Sequence, residues 1–372
     1  MKLIILRDNL KLGLDTVSRA VGQNLNLPIL GSVLISAEGG RVRLAATNLE
    51  LTITKNISGK VVEDGSVIIP HQTLTSIVNN SLSERINIET TKQGGAIVRG
   101  DSFEANLQLA SQDEFPRIPQ ASPKEGAGTI SITSSALREA LSKVVIAAET
   151  SNLRPEIGGV LFLGELNTLK LVATDSFRLA EARVSGQQFK NNLGEGFKFN
   201  VPLKAAQELI RILKDEGDAS LYTKKNQLLV TTEDATLSSR LTEGTFPDYE
   251  AIIPKQIDTE VILDRSELSG ALRLSSTFAS HTNDVRVKIK DKKVLEIYSS
   301  DNAIGENNYL IPAKITGLEM EAAFNWRYLL DGLRGGTSKD VFLGLNGSER
   351  PAIIKNPEDE SYIYILMPIK AT

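Results

Sequence analysis

The stretch LPILGSVLISAEGGRVRLAATNLELTI, beginning at Leu27, returns 127 residues later as RPEIGGVLFLGELNTLKLVATDSFRLA from Arg154. Without any gap, Pro28 meets Pro155, Gly31 meets Gly158, Val33 meets Val160, Leu34 meets Leu161, Leu44 meets Leu171, Ala46 meets Ala173 and Thr47 meets Thr174. Self-similarity at a long fixed period marks an architecture made by repeating one folding unit. The chain must therefore be read as copies of a domain before any local motif is weighed.

The repetition extends outward. RDNLKLGLDTVSRAVG from Arg7, SSALREALSKVVIAAE from Ser134 and DRSELSGALRLSSTFAS from Asp264 read as three versions of one helix, each opening on an Asp or Ser cap. Their apolar residues recur at helical spacing: Leu10, Leu14, Val17 and Val21; Leu137, Leu141, Val144 and Val145; Leu268, Leu272 and Phe278. A second helix follows a strand in each copy, as HQTLTSIVNNSL, LKAAQELIRILKD and NWRYLLDGLRG. Between helices the pattern alternates, as in NDVRVKIKDKKVLEIYSS, where DKK supplies a turn. Copies one and two end alike, in DEFPRIP and GTFPDYEAIIP. Turn-rich segments at 120–129 and 254–260 divide the chain into 1–125, 126–254 and 255–372. The expected class is α+β: three repeated domains, each a sheet with two helices on one face.

Composition narrows the chemistry. Lys and Arg total 42 against 46 Asp and Glu, so the chain has no overall basic footprint of a tight phosphate binder. A mean of this kind still leaves room for a local positive surface. The absence of cysteine excludes disulfides, thiol nucleophiles and thiolate metal sites, and fits a reducing cytoplasm. Neither the opening MKLIILRDNL nor any other apolar run has the length expected of a signal peptide or membrane span.

No constellation points to catalysis. The two histidines, His71 in a second helix and His281 ahead of a strand, have no partner at ligand spacing and read as solvated. LGEGFKF and LRGGTSKD lack the spacing of a phosphate-cradling loop, and NPEDESY reads as a hairpin tip. Asp175 follows a Thr in the repeated motif, but its counterpart is Asn48, so a turn made by either side chain explains the position better than proton transfer. Neither cofactor nor metal is expected. The second copy does differ in one respect: Phe177, Arg178 and Leu179 bring an aromatic, a guanidinium and an aliphatic side chain to one loop. Near the chain's end Met367 and Ile369 flank Pro368, which stops ladder pairing and leaves an adaptable apolar edge. The final strand packing within its own core is the competing reading.

Taken together, LPILGSVLI with LAATNLE, GVLF with LVATDSFRLA, FPDYEAIIP and the terminal YILMPIK resemble the beta sliding clamp family of bacterial DNA polymerase III, in order and spacing along the whole chain. The resemblance implies a non-enzymatic processivity factor. In that family three similar domains form half a ring, two chains close head to tail, and helices line a hole that holds duplex DNA without sequence specificity. Lining charges would then be Lys11, Arg19, Arg138, Lys143, Lys204, Arg211, Lys214, Arg273, Arg327 and Arg334, all assigned to the six helices. Lys204 and Arg211 match the family's basic positions best. The first copy departs from the pattern: its second helix has no Lys or Arg, and Asn24 stands where an arginine is common.

The family's partners, polymerase, clamp loader and repair proteins, insert a short peptide into a cleft. Here the resemblance places that cleft at Ile157, Thr174, Ser176, Phe177, Arg178, Leu179, Pro247, Ile252, Met367, Pro368 and Ile369. Ser176 and Phe177 replace a common glycine and histidine, and Ala251 an occasional arginine, which implies a reshaped rim and altered peptide preference. Dimer closure would pair the edge around 102–109, including Ala105 and Leu107, with an edge near 278–286 that includes Phe278. An enzyme using scattered carboxylates and a repeat scaffold unrelated to DNA remain as alternatives.

Overall fold

A computed structural model describes residues 1–91, 94–109, 115–118, 128–151, 153–194, 196–224 and 226–370. Most of the boundary expected at 120–129 lies outside the described residues. Two compact units result: Met1–Ser135 with Lys190–Leu193 and Arg211–Leu241, and Ala136–Phe189 with Gly194–Ile210 and Thr242–Thr372.

The described residues contain six α-helices, two per repeat where the periodicity put them: α1 Arg7–Val17, α2 His71–Asn80, α3 Ser134–Val144, α4 Leu203–Ile212, α5 Arg265–Ser275 and α6 Trp326–Arg334. Helix α5 is capped as expected, the Asp264 carboxylate accepting from the backbone N–H groups of Ser266 and Glu267. Helix α1 is not: it starts at Arg7, behind a Leu6 with no cap bond, and Asp8 falls inside the first turn. There an acid still complements the helix dipole. Val145 and Phe278 lie in short 3₁₀ turns that follow α3 and α5, so the apolar spacing outlasts the α-helices.

In the first unit α1 buries Leu10, Leu14 and Val17. It packs on strands Arg41–Thr47 and Leu51–Ile57 of a nine-stranded sheet and on Lys2–Leu6 of a five-stranded one. The strands of the first repeat are divided between these two sheets. Close approach depends on Gly13, where a Cβ would lie 2.9 Å from Ile57 Cγ2.

The second unit holds a twelve-stranded antiparallel sheet. Tyr362–Leu366 lies inside it, buried and paired with Arg178–Ser185 and Ala352–Lys355. The terminal strand is therefore interior, and Met367 just after it is exposed. Likewise Asp284–Ile289 is flanked by Val294–Asp301 and Met320–Asn325, so Arg286 is not on an edge.

Each unit contains one strand pair that joins successive repeats. In the first, Leu51–Ile57 runs against Ala235–Arg240 with Ile53 opposite Leu237. In the second, Arg178–Ser185 runs against Tyr362–Leu366 with Ala180 opposite Tyr364. Both residues have advanced by the repeat length of 127. The flanking hydrogen bonds advance too: Arg240 N–H to Glu50 O (3.0 Å) and Asn56 N–H to Asp234 O (2.8 Å) become Met367 N–H to Phe177 O and Arg183 N–H to Ser361 O, both 2.8 Å.

Candidate functional site: an apolar cleft and a basic helix face

The turn after Thr174 is built by short-range hydrogen bonds. Asp175 Oδ1 accepts from the N–H groups of Phe177 and Arg178, both at 3.0 Å, and Thr174 Oγ1 accepts from Ser176 N–H while donating to Arg178 O. Asn48 and Thr47 make the same bonds in the first repeat. The turn puts Leu49 and Ser176 in the left-handed region, each at φ 76°, where a Cβ is disfavoured and glycine is most at ease. The third repeat keeps the Asx part of this turn, missed in the sequence, at Asp301, whose Oδ1 accepts from Ala303 and Ile304 N–H.

On this frame Phe177 is 62% exposed and Met367 38%, joined through the backbone bond from Met367 N–H to Phe177 O. Leu179 is fully buried and packs with Leu161, Val172, Tyr249, Ile353 and Ile365. Exposed Pro247 and Ile252 lie on the segment whose Phe246, Tyr249 and Ile253 pack into that cluster. Ile157, Thr174 and Pro368 are buried, as is Leu179, so these four expected cleft residues form its support and not its surface. Ile369 is half-buried and its N–H reaches Ala323 O at 2.7 Å, and Ala251 is exposed beside Ile252.

Arg178 is already engaged. Its Nε donates to Asp175 Oδ2 (2.9 Å), its Nη1 to Asp331 Oδ2 of α6 (2.5 Å), and the guanidinium lies 4.1 Å from the centre of the Tyr328 ring. Burial works against its charge, but Tyr364, Asp331 and Asp175 outweigh that and raise its pKa. The residue locks the turn to α6. The exposed cation missed in the sequence is Arg154, whose Nη1 donates to Ser176 Oγ at 2.5 Å on the same rim; it stands one residue before the repeated Pro155.

The expected basic residues divide. Arg273 on α5, Arg327 and Arg334 on α6, and Lys204 and Arg211 on α4 are exposed. A cavity beside α5 and α6 is lined by Arg265, Arg273, Arg334 and Trp326; Arg265 and the indole were not foreseen. Arg138 is half-buried on α3. Lys143 is less open: its side chain is 12% exposed and bonds Glu139 one turn back at 2.7 Å. Lys214 lies beyond α4 and is held by Asp234 at 2.6 Å, and Arg19 sits in a 3₁₀ turn; neither is on an α-helix. Exposed Lys11 is on α1, and exposed Asn24 closes a local turn by accepting from Asn26 N–H. His71 is half-buried, its Nε2 3.2 Å from Leu14 O, so it is packed and not merely solvated.

Ala105 and Leu107 lie on the edge strand Glu104–Leu107, whereas Phe278 is half-buried in a 3₁₀ turn. Among the described residues no group of three or more carboxylates and histidines could hold a metal, and no helix is long and apolar enough to cross a membrane.

Comparison with known proteins gives a consistent pattern. Family models described as the N-terminal, central and C-terminal domains of the DNA polymerase III beta subunit match residues 1–119, 131–248 and 250–370. The beta sliding clamp of Synechocystis sp. is 28% identical over 392 residues, covering 100% of this chain and 99% of that protein. The crystal structure of the Bacillus subtilis sliding clamp superposes with a TM-score of 0.92 at 27% identity, covering 100% of both chains. A Pseudomonas aeruginosa sliding clamp bound to griselimycin matches at TM-score 0.92 and 25% identity, again over 100% of both.

Proposed function

Because the chain belongs to the family of the DNA polymerase III beta subunit, we propose that its repeats 1–125, 126–254 and 255–372 form half of a two-chain ring. It is a processivity factor that encircles duplex DNA without reading sequence and tethers the polymerase, the clamp loader and other clamp-binding proteins. The three matched segments support that division. It is non-catalytic and works in the cytoplasm, beside the DNA.

The peptide of a partner rests on Phe177, Met367, Pro247 and Ile252, over a floor of Ile157, Thr174, Leu179 and Pro368, with Ser176, Arg178 and Ile369 fixing the rim. The observation that carries this reading is the exposed Phe177 and Met367 held side by side by a backbone hydrogen bond. Large apolar side chains exposed on a rigid frame are what peptide anchors need. DNA faces Arg138, Lys204, Arg211, Arg273, Arg327 and Arg334, with Lys143 and Lys214 contributing charge from within ion pairs. Such a lining attracts phosphates through water and leaves the ring free to slide. Ala105, Leu107 and Phe278 belong to the closure between chains.

The test is retention on DNA. Loaded protein should stay on nicked circular DNA through gel filtration at high salt and leave once the circle is linearised. Equal retention on both forms would refute topological linkage.

A further inference from the structure

One strand position is neutralised from within the chain in two repeats and left open in the first. Arg43 becomes Lys170 on adding the repeat length of 127. In the third repeat Glu306 opposite Ser300 matches Leu179 opposite Thr174, so Glu296, four residues before Ser300, stands where Lys170 stands before Thr174. Lys170 Nζ lies 2.5 Å from Glu165 Oε1 and 3.1 Å from Glu250 Oε1. Glu296 is held by Lys288 at 3.7 Å and Lys290 at 3.2 Å. Arg43 is exposed, and among the described residues its guanidinium has no hydrogen-bond or ion-pair partner.

The sequence gives a reason for the difference. Glu250 closes the stretch FPDYE; the first repeat writes FPRIP, with Pro119 in the place of Glu250 and Arg117 in that of Asp248. The residue that matches Glu250 therefore brings no carboxylate. Local geometry meanwhile gathers a second cation. Gly39 and Gly40, at φ 57° and 77°, form the two-residue turn of a hairpin that sets Glu38 opposite Arg41 and Ser36 opposite Arg43. Leu44 faces Gly13 of α1, so the alternating Arg41 and Arg43 project from the other side of the strand. There Ser36, Glu38, Gly39, Arg41 and Arg43 line a cavity of about 390 Å³. Arg41 is also exposed and unpaired among the described residues, and Glu38 makes no ion pair with it. Two cations face one acid, which leaves one positive charge uncompensated.

We infer that Arg41, Arg43 and Ser36 form a carboxylate-binding site for an acidic segment of a partner protein, on the side of the first repeat away from α1. The second repeat identifies the occupant, because there the equivalent cation is already satisfied by a glutamate from a following segment. Arginine suits an external carboxylate better than the lysine of the second copy does: its planar fork offers two parallel hydrogen bonds, whereas an ammonium acts as a point charge. The Ser36 hydroxyl supplies a further donor, and exposed Asn56, opposite Arg43 on the next strand, borders the site. None of these residues belongs to the apolar cleft or to the helices assigned to DNA, so this site and the ring reading can fail independently.

The chain has no cysteine, so Asn56→Cys carries a single environment-sensitive dye beside Arg43. With the full chain at low salt, a hexaglutamate peptide should shift the dye emission saturably and hexaglutamine should not, and the response should weaken as salt rises. R41A/R43A in the same background should weaken binding about tenfold or more, as loss of charge-assisted hydrogen bonds does. K292A/K293A removes the same charge from an exposed turn and should change binding by about twofold at most, because screening separates distant surface charges. Thermal melts of both variants should match wild type, since all four side chains are exposed. No saturable shift with hexaglutamate, or one that R41A/R43A leaves intact, overturns the proposal. Equal weakening by the two variants reduces the response to net charge and overturns the site. Inorganic phosphate acting as strongly as hexaglutamate at matched ionic strength overturns the carboxylate assignment.

Discussion

The turns at residues 48–51 and 175–178 share a backbone but not a use. In both, an Asx side chain and a Thr hydroxyl hold the bend, and the carbonyl one residue before the following strand accepts from an N–H at the end of a strand of the next repeat. At the first junction the residues joined this way are Glu50 and Arg240; at the second they are Phe177 and Met367. One geometry thus presents an acid beside a guanidinium in one place and two apolar side chains in the other. The repeated bonds maintain the frame; the side chains mounted on it decide what can dock.

Exchanging those side chains should break the comparison most severely. The double variant Phe177→Glu/Met367→Arg gives the second turn the chemistry of the first, and peptide affinity read by fluorescence anisotropy should fall roughly 100-fold or more, as loss of two interface anchors does. The melting temperature should hardly move, because both side chains are exposed. Undiminished binding would place the peptide elsewhere.

A smaller effect separates the junctions by pH. Burial works to raise the Asp234 pKa, but hydrogen bonds and charge from Lys214 and Lys55 outweigh it and hold the carboxylate below its usual value. The positions matching Lys55 and Asp234 at the second junction are Ala182 and Ser361. A depressed folded pKa contributes stability above the unfolded value of about 3.9, lost as pH falls through the folded value. Asp234→Asn should therefore cost about 1 kcal/mol at pH 6 and converge with wild type toward pH 3, read by urea denaturation. A gap that persists at low pH would assign the effect to packing.

The smallest test asks whether the two backbones are equally strained. Leu49→Gly should stabilise the fold by about 0.5 kcal/mol, relief of left-handed strain outweighing the entropy of glycine. Ser176→Gly should gain less, because it also removes the bond from Arg154. The reverse order in paired thermal melts would show that the turns are not equivalent.

Much of this was legible in the sequence because it is local or periodic. Helical spacing located α1 to α6, and the pairing of Asn48 with Asp175 identified the turn. The copy at Asp301 escaped because Ser300, Asn302, Ala303 and Ile304 erase the Ala-Thr-Asp signature and one extra residue enters before the next strand. Arg178 could be seen, but not its tie to Asp331, 153 residues away. Lys143 carried its own warning in Glu139, four residues earlier on the same helix face. The edge of the third repeat was misplaced because strand order is a long-range property, and alternation in DVRVKI reads the same at an edge or an interior position.

The indole of Trp326 is the chain's one tryptophan; it lies on the arginine-lined wall, 5.2 Å from the Arg327 guanidinium. Nature has in effect placed a single fluorophore on the face assigned to the duplex. Light emitted by the unlabelled protein at tryptophan wavelengths comes from that one address, so its intensity and colour register the electrostatic surroundings of α6 without a dye or an added residue.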